Sequence, residues 1–138
     1  MGRKFAALGL CLTAGLFTVS GLVMADDKKS DKIDVHEIME KVPGKKGLCA
    51  TCAAAAKAGK WEDAQKASAE MKKYGEAIGQ NDPPKGSKDS WAKLTKKFAE
   101  QMTAIDDAAQ KKDAAAVAKA TGAFTQSCKA CHDAHKSK

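Results

Sequence analysis

The feature that most constrains this chain is a Cys-x-x-Cys-His motif near its C-terminus, formed by Cys128, Cys131 and His132. This spacing is typical of covalent c-type haem attachment. On a helix the two cysteines lie on one face, so both thiols can bond a single porphyrin. The adjacent histidine can then bind the iron as its proximal ligand. The motif therefore predicts one covalent haem c, anchored by a helix.

A Cys-x-x-Cys pair can also be half of a zinc site, a redox pair or a local disulfide. A thioredoxin-like redox pair would accompany a βαβ unit, and the sequence shows no strand pattern. Zinc would need two further ligands, and the candidates lie far upstream of the motif or just beyond it. Haem attachment is the favoured interpretation. The candidates for further zinc ligands are Cys49, Cys52, His36 and His135.

The N-terminus has the pattern of a secretory signal peptide. Arg3 and Lys4 precede an apolar run over residues 5–23, and Val23-Met24-Ala25 offers a small-residue cleavage site. We predict that residues 1–25 are removed, although a permanent membrane anchor is the alternative. Residues 26–138 then form one exported domain, which we place in the periplasm. An oxidising compartment of this kind agrees with the haem motif.

The charge of the exported domain favours a protein partner. The 24 basic residues include Arg3 and Lys4, which leave with the signal, and the other 22 are all lysine against 17 acidic residues. This excess predicts transient docking to redox proteins that present an acidic surface, although solvated helix faces explain lysines equally well. The exported domain has no arginine and no basic stripe interleaved with aromatics, so nucleic acid is not expected as a partner.

The hydrophobic periodicity predicts helices throughout the exported domain. Ser30 or Asp31 can cap the first, which ends or kinks at Pro43-Gly44. Helical structure resumes from Gly47 or Leu48 and stops near Gly59. Apolar residues then recur at spacings of three and four, before and after a proline-rich loop over residues 80–86. The two stripes are Ala64, Ala67, Met71, Tyr74 and Ile78, followed by Trp91, Leu94, Phe98, Met102 and Ile105.

A last helix, which Asp113 can cap, carries the haem motif. Its apolar face continues into the two cysteines, so the porphyrin would lie where a core side chain otherwise would. Four amphipathic segments joined by short loops predict an all-α, up-down-up-down four-helix bundle. The face consists of Val117, Ala120, Phe124, Cys128 and Cys131.

A four-helix chain with this motif at residues 128–136 resembles the class II c-type cytochromes, the small monohaem bacterial group of cytochrome c′ and cytochrome c556. The resemblance implies that the first helix faces the open side of the haem. A methionine binds the iron there in the c556 type, and a non-ligating residue stands there in the c′ type. Met39 is the candidate distal ligand and His36 the remaining one. Met39 could instead be a core residue, and His36 a surface residue paired with Glu40.

Two residues after the motif are implied as neighbours of the haem by the same resemblance. His135 stands where the family often has an aromatic residue or histidine. It could pack near the ring or hydrogen-bond a propionate, but a partly exposed structural role is favoured. Lys136 stands where a basic residue is common, and it could neutralise a propionate.

A second pair, Cys49 and Cys52, is not explained by the family pattern. Ala53 follows it where a histidine would be needed, so a second haem is not expected. A local disulfide is the leading interpretation in an oxidising compartment, although a spacing of three within a helix strains the geometry. Two reduced buried thiols and a dithiol switch remain the alternatives.

The predicted ligand set favours electron transfer over catalysis. If Met39 and His132 fill both axial positions, no site remains for a substrate, so the protein is expected not to be an enzyme. The alternative is a cytochrome c′-like haem protein with five-coordinate iron that binds NO or CO. A peroxidase-like enzyme would need a distal acid-base group, for which only His36 is present. Members of the family are both monomers and homodimers, and the sequence does not decide between them.

Overall fold

The computed structural model describes residues 32–137, and over these residues the chain is helical with no strand. The signal peptide predicted for residues 1–25 and the proposed caps Ser30 and Asp31 lie outside the described residues. No helix in the described part is long and apolar enough to cross a membrane. The five helices are α1 (Val35–Lys41), α2 (Leu48–Lys57), α3 (Trp61–Ile78), α4 (Lys88–Gln110) and α5 (Ala114–His135).

The predicted first segment is two separate helices, because the chain turns between α1 and α2. Pro43 has no backbone N–H, so α1 cannot continue through it. The helix ends at Lys41, and Val42 donates its N–H to the carbonyl of Ile38. The chain reverses over residues 43–47, and Cys49 N–H then donates to the carbonyl of Val42. The expectation of four helices is therefore corrected to five.

Side-chain caps fix the starts of the two longest helices. The hydroxyl of Ser87 accepts a hydrogen bond from Ser90 N–H at 3.3 Å, which begins α4. The carboxylate of Asp113 accepts one from Ala116 N–H at 2.9 Å, and this confirms the cap predicted for α5. Such caps satisfy backbone donors that have no partner within the helix. They set where the helix carrying the haem motif begins.

The four longer helices each pack on two of the others. Helix α2 packs on α3, α3 on α4, α4 on α5, and α5 on α2, while the short α1 packs on α3. The predicted bundle requires these neighbour relations. The all-helical class is confirmed, and the up-down-up-down topology stays a prediction.

The predicted apolar stripes face the core, but they are not buried equally. Every member of the α3 stripe is buried. In α4 the side chains of Leu94 and Phe98 are only half-buried, and in α5 the same holds for Cys128 and Cys131. All four of these residues border the same cavity. The apolar stripes of α4 and α5 are therefore both incompletely buried at this cavity.

Helices α3 and α4 approach closely at Gly75. A Cβ atom on Gly75 would lie 2.9 Å from Met102 Cβ and 3.2 Å from Ala99 Cα, whereas one on Gly122 in α5 would meet nothing within 4 Å. Replacing Gly122 with alanine should stabilise the fold by about 0.5–1 kcal/mol, because alanine favours the helix. Gly75→Ala should destabilise it, since overpacking of about 1–3 kcal/mol outweighs that gain. Urea unfolding of both variants checks the opposite signs. A Gly75→Ala variant as stable as Gly122→Ala would contradict the close approach of α3 and α4.

Candidate functional site

The haem motif lies in the last two turns of α5. Cys128 and Cys131 are half-buried, and His132 follows with an exposed side chain. All three residues border the same cavity, which extends between α1, α4 and α5. The helix therefore presents two thiols and an imidazole to one space, as the motif predicts.

Two adjoining cavities meet at the motif. One has a volume of about 50 Å³ and lies against α4 and α5. The other, of about 540 Å³, lies between α1 and the end of α5. Ligand sites in proteins commonly measure about 300–1,000 Å³, so the second is large enough for a cofactor. Both cavities are bordered by Met39, Pro43, Cys131 and His132.

Apolar and aromatic side chains form the wall of the smaller cavity. Phe98 of α4 and Phe124 of α5 pack edge to face, with ring centroids 5.4 Å apart. Leu94 lies one turn before Phe98 on the same wall, and the exposed Lys97 stands beside it. An apolar wall with one cation at its border suits a flat macrocycle that carries carboxylates on its edge. Lys97 was not predicted, although its place beside the stripe of Leu94 and Phe98 was a usable signal.

Met39 reaches this site from the other end of the sequence. It lies on α1, is half-buried, and borders both cavities together with His132. His36, one turn earlier, borders only the larger cavity. Its imidazole is 81% exposed and lies 3.3 Å from the carboxylate of Glu40, which agrees with the alternative of a surface histidine paired with Glu40. Of the two candidate distal ligands, Met39 is the one that borders both cavities.

His135 differs from the expectation of a partly exposed residue, because its side chain is only 2% exposed. Nδ1 lies 2.6 Å from the carbonyl oxygen of Lys85, which can only accept, so Nδ1–H donates. Nε2 lies 3.1 Å from the hydroxyl of Ser90. The indole of Trp91 packs edge to face on the imidazole at a centroid distance of 5.2 Å. Both ring nitrogens thus have protein partners, and His135 fastens the end of α5 to the loop before α4.

Lys136 follows α5 and borders the larger cavity with an exposed side chain. Its predicted contact with a propionate stays a prediction. Lys97 at the smaller cavity is a second lysine of this kind. Lys97 lies on α4 and Lys136 just after α5, so they mark two positions at which a carboxylate could be neutralised.

All four described cysteines are free thiols, so the disulfide considered for Cys49 and Cys52 is absent from the structure. Cys49 and Cys52 are both buried on α2, and Cys52 is fully enclosed. Burial, with smaller contributions from Cys49 and Asp106, raises the pKa of Cys52 to about 11. Burial also raises the pKa values of Cys49, Cys128 and Cys131. Each group is therefore an uncharged thiol near neutral pH.

The largest cavity, of about 980 Å³, lies between α2 and α5 on the other side of Cys128. Cys49 borders it, but neither Met39 nor His132 does. We assign the site to the two smaller cavities, because an iron needs axial donors and these are bordered by a thioether and an imidazole. Among residues 32–137, no group of three or more histidine, cysteine, aspartate or glutamate side chains is placed to hold a bare metal ion.

The donor set fits a covalently bound haem. Cys128 and Cys131 would hold the porphyrin through two thioether bonds, and His132 would bind the iron. Met39 offers a second axial donor, while Phe98 and Phe124 offer apolar contacts. This fit rests on residues from three helices, of which the motif itself occupies only one.

Comparison with known families gives one match. Residues 86–136 match the model of the family described as Cytochrome C′, a class II cytochrome family. The match covers the whole of α4 and α5, and it confirms the resemblance inferred from the motif. It supports a c-type cytochrome, and the family implies haem binding. No curated protein and no solved structure matches the chain.

Proposed function

We propose that the protein is a periplasmic monohaem c-type cytochrome that carries single electrons between redox partners. One haem c would be held covalently by Cys128 and Cys131, with His132 as proximal and Met39 as distal iron ligand. The single observation that carries the proposal is that Met39 and His132, from α1 and α5, border the same two cavities as Cys131. Cytochromes of this kind are generally electron carriers rather than enzymes.

The haem, when bound, supplies a one-electron redox centre, and the chain determines what that centre can do. His132 and Met39 together would leave no axial position for a substrate, and a methionine ligand raises the reduction potential. Phe98, Phe124 and Leu94 would exclude water from the porphyrin face. The packed α2–α5 helices would hold His132 in place when the charge of the centre changes, and the packing of α1 on α3 would hold Met39.

Electron exchange requires brief contact with a partner. Lys97 and Lys136 are exposed at the border of the site, and an acidic surface would be attracted to such lysines. Charge attraction of this kind raises the association rate without giving a long-lived complex. The partner class we propose is therefore an exported redox protein with an acidic docking surface. A homodimer also remains compatible with the fold.

The alternative function is a five-coordinate haem protein that binds NO or CO. One observation favours it: Met39 stands on a helix of seven residues and is only half-buried, beside a cavity of about 540 Å³. If α1 did not hold the thioether on the iron, this cavity would admit a diatomic ligand.

The two functions predict different behaviour of the reduced holoprotein towards carbon monoxide. With both axial positions filled, we expect a low-spin absorption spectrum, a weak far-red sulfur-to-iron band in the oxidised state, and slow, weak CO binding. Titration with CO, followed by absorption, measures this directly. A high-spin spectrum with rapid CO binding would reject Met39 ligation and establish the gas-binding alternative. The buried His135, whose two ring nitrogens have protein partners, is not expected to bind the iron in either case.

A further inference from the structure

The loop over residues 79–87, between α3 and α4, is bonded to the segment that leads into α1 and to the last residue of α5, the two helices that carry the proposed axial ligands. Asn81 Nδ2 donates a hydrogen bond to the carbonyl of Ile33 at 2.9 Å, two residues before α1 begins. At its other end the loop accepts a hydrogen bond at Lys85 O from Nδ1 of His135, the last residue of α5. The segments carrying Met39 and His132 are thus fastened to the same loop.

Trp91 connects these two attachments. Its indole Nε1 donates to the carbonyl of Asn81 at 2.6 Å, and its ring packs edge to face on His135. Trp91 is buried, and Asn81 Nδ2 also bonds the carbonyl of Ala77 at the end of α3. Trp91 therefore contacts both attached residues, and the loop, Trp91 and His135 form one connected support.

Helix α1 depends on this support more than the other helices do. A helix of seven residues is not stable alone in water, and Asp34 at its start makes no side-chain cap. Packing holds α1 through Ile38 and Val42, which are fully buried. These side chains anchor its second half. Near its start, α1 is tied to other elements by the hydrogen bond from Asn81 to Ile33 and by the contact of Tyr74 on α3 with Glu37.

We propose that Asn81 is a positioning residue for Met39. By holding the chain at Ile33, it keeps α1 over the site and its thioether on the iron, while His135 holds the end of α5 from the same loop. This inference rests on the proposed function, since it requires Met39 to be the distal ligand. It predicts that the strength of methionine ligation is set by a hydrogen bond outside the cavity.

The test uses the full holoprotein with Asn81→Ala, and with Asn81→Asp, which keeps the size of the side chain but has no amide donor. The apparent affinity for CO depends on the fraction of molecules in which the sixth position is open. One hydrogen bond of ordinary strength changes such an equilibrium by about three- to tenfold. We therefore expect both variants to bind CO about three to ten times more tightly than the wild type, with a weaker sulfur-to-iron band.

Gln65→Ala is the matched control. Gln65 Nε2 also donates to a backbone carbonyl, that of Ala109 at 3.3 Å, but it joins α3 to the end of α4, away from α1. This variant should lose similar stability in urea and keep the wild-type CO affinity and band. If the wild type shows the band and the Asn81 variants bind CO as it does, the inference is overturned and the proposed function stands. A wild type without the band would overturn both.

Discussion

Replacing Met39 with alanine should convert the protein from a six-coordinate to a five-coordinate haem protein. If the thioether occupies the sixth position about 99% of the time, its removal raises the apparent CO affinity about 100-fold. The oxidised protein should lose the far-red sulfur-to-iron band and become high-spin. Absorption spectra and CO titration of the purified variant measure both effects. The reduction potential should fall as well, because methionine ligation raises it.

Three variants separate loss of the ligand from loss of packing. Met39→Leu fills nearly the same volume without a donor sulfur, so it should behave like Met39→Ala. Met71→Leu changes a buried core methionine of α3 and should leave the spectrum unchanged. His36→Ala should also leave it unchanged, because His36 is exposed and paired with Glu40. A wild-type spectrum in both Met39 variants, together with a changed one in His36→Ala, would assign the sixth position to His36.

The helices of this fold were predictable because their signals are local. Stripes at spacings of three and four, the Asp113 cap and Pro43 each act within one or two turns of chain. The α3 stripe from Ala64 to Ile78 is buried throughout, as predicted. The separation of α1 from α2 was less certain from sequence, since a proline can kink a helix as well as end it. The turn over residues 43–47 separates the two helices, because it brings the N–H of Cys49 back to the carbonyl of Val42.

The candidate site was predictable only in part, for the same reason. Cys128, Cys131 and His132 form a local motif, and Met39 was identified through the family resemblance. The supporting contacts have no local signal. The hydrogen bond from Asn81 to Ile33 spans 48 positions, and that from His135 to Lys85 spans 50. Whether a polar side chain is exposed or buried with partners depends on such distant contacts.

His135 shows why exposure could not be read from the sequence. Near a C-terminus, among lysines, a histidine is expected at the surface. Its burial depends on Gly86, which has a φ of +84° and allows the loop to lie against the end of α5. A Cβ on Gly86 would come within 2.9 Å of Ala134 O and 3.0 Å of His135 Nδ1. A glycine in the left-handed region 49 positions away thus determines the environment of this side chain.

The two Cys-x-x-Cys pairs should respond in opposite ways to removal of their thiols. Replacing Cys128 and Cys131 together with serine should abolish covalent attachment, so that acidified acetone extracts all of the haem. Replacing Cys49 and Cys52 together should leave the haem attached, because α2 has alanine where a proximal histidine would be needed. The second variant should instead lose about 1–3 kcal/mol of stability, since Cys52 is fully buried and serine would place a hydroxyl there. Haem absorbance after extraction and urea unfolding measure the two effects.

Single variants make this comparison sharper. Cys128→Ser and Cys131→Ser should each keep one thioether, so haem stays attached, and the absorption maximum of the reduced protein shifts because one vinyl group stays unsaturated. His132 remains in place in both and should keep the iron low-spin with Met39. Haem that remained attached in the Cys128/Cys131 double variant but was extracted from the Cys49/Cys52 variant would move the site to α2. That outcome would leave His132 without a role at the iron, since His132 does not border the large cavity beside Cys49.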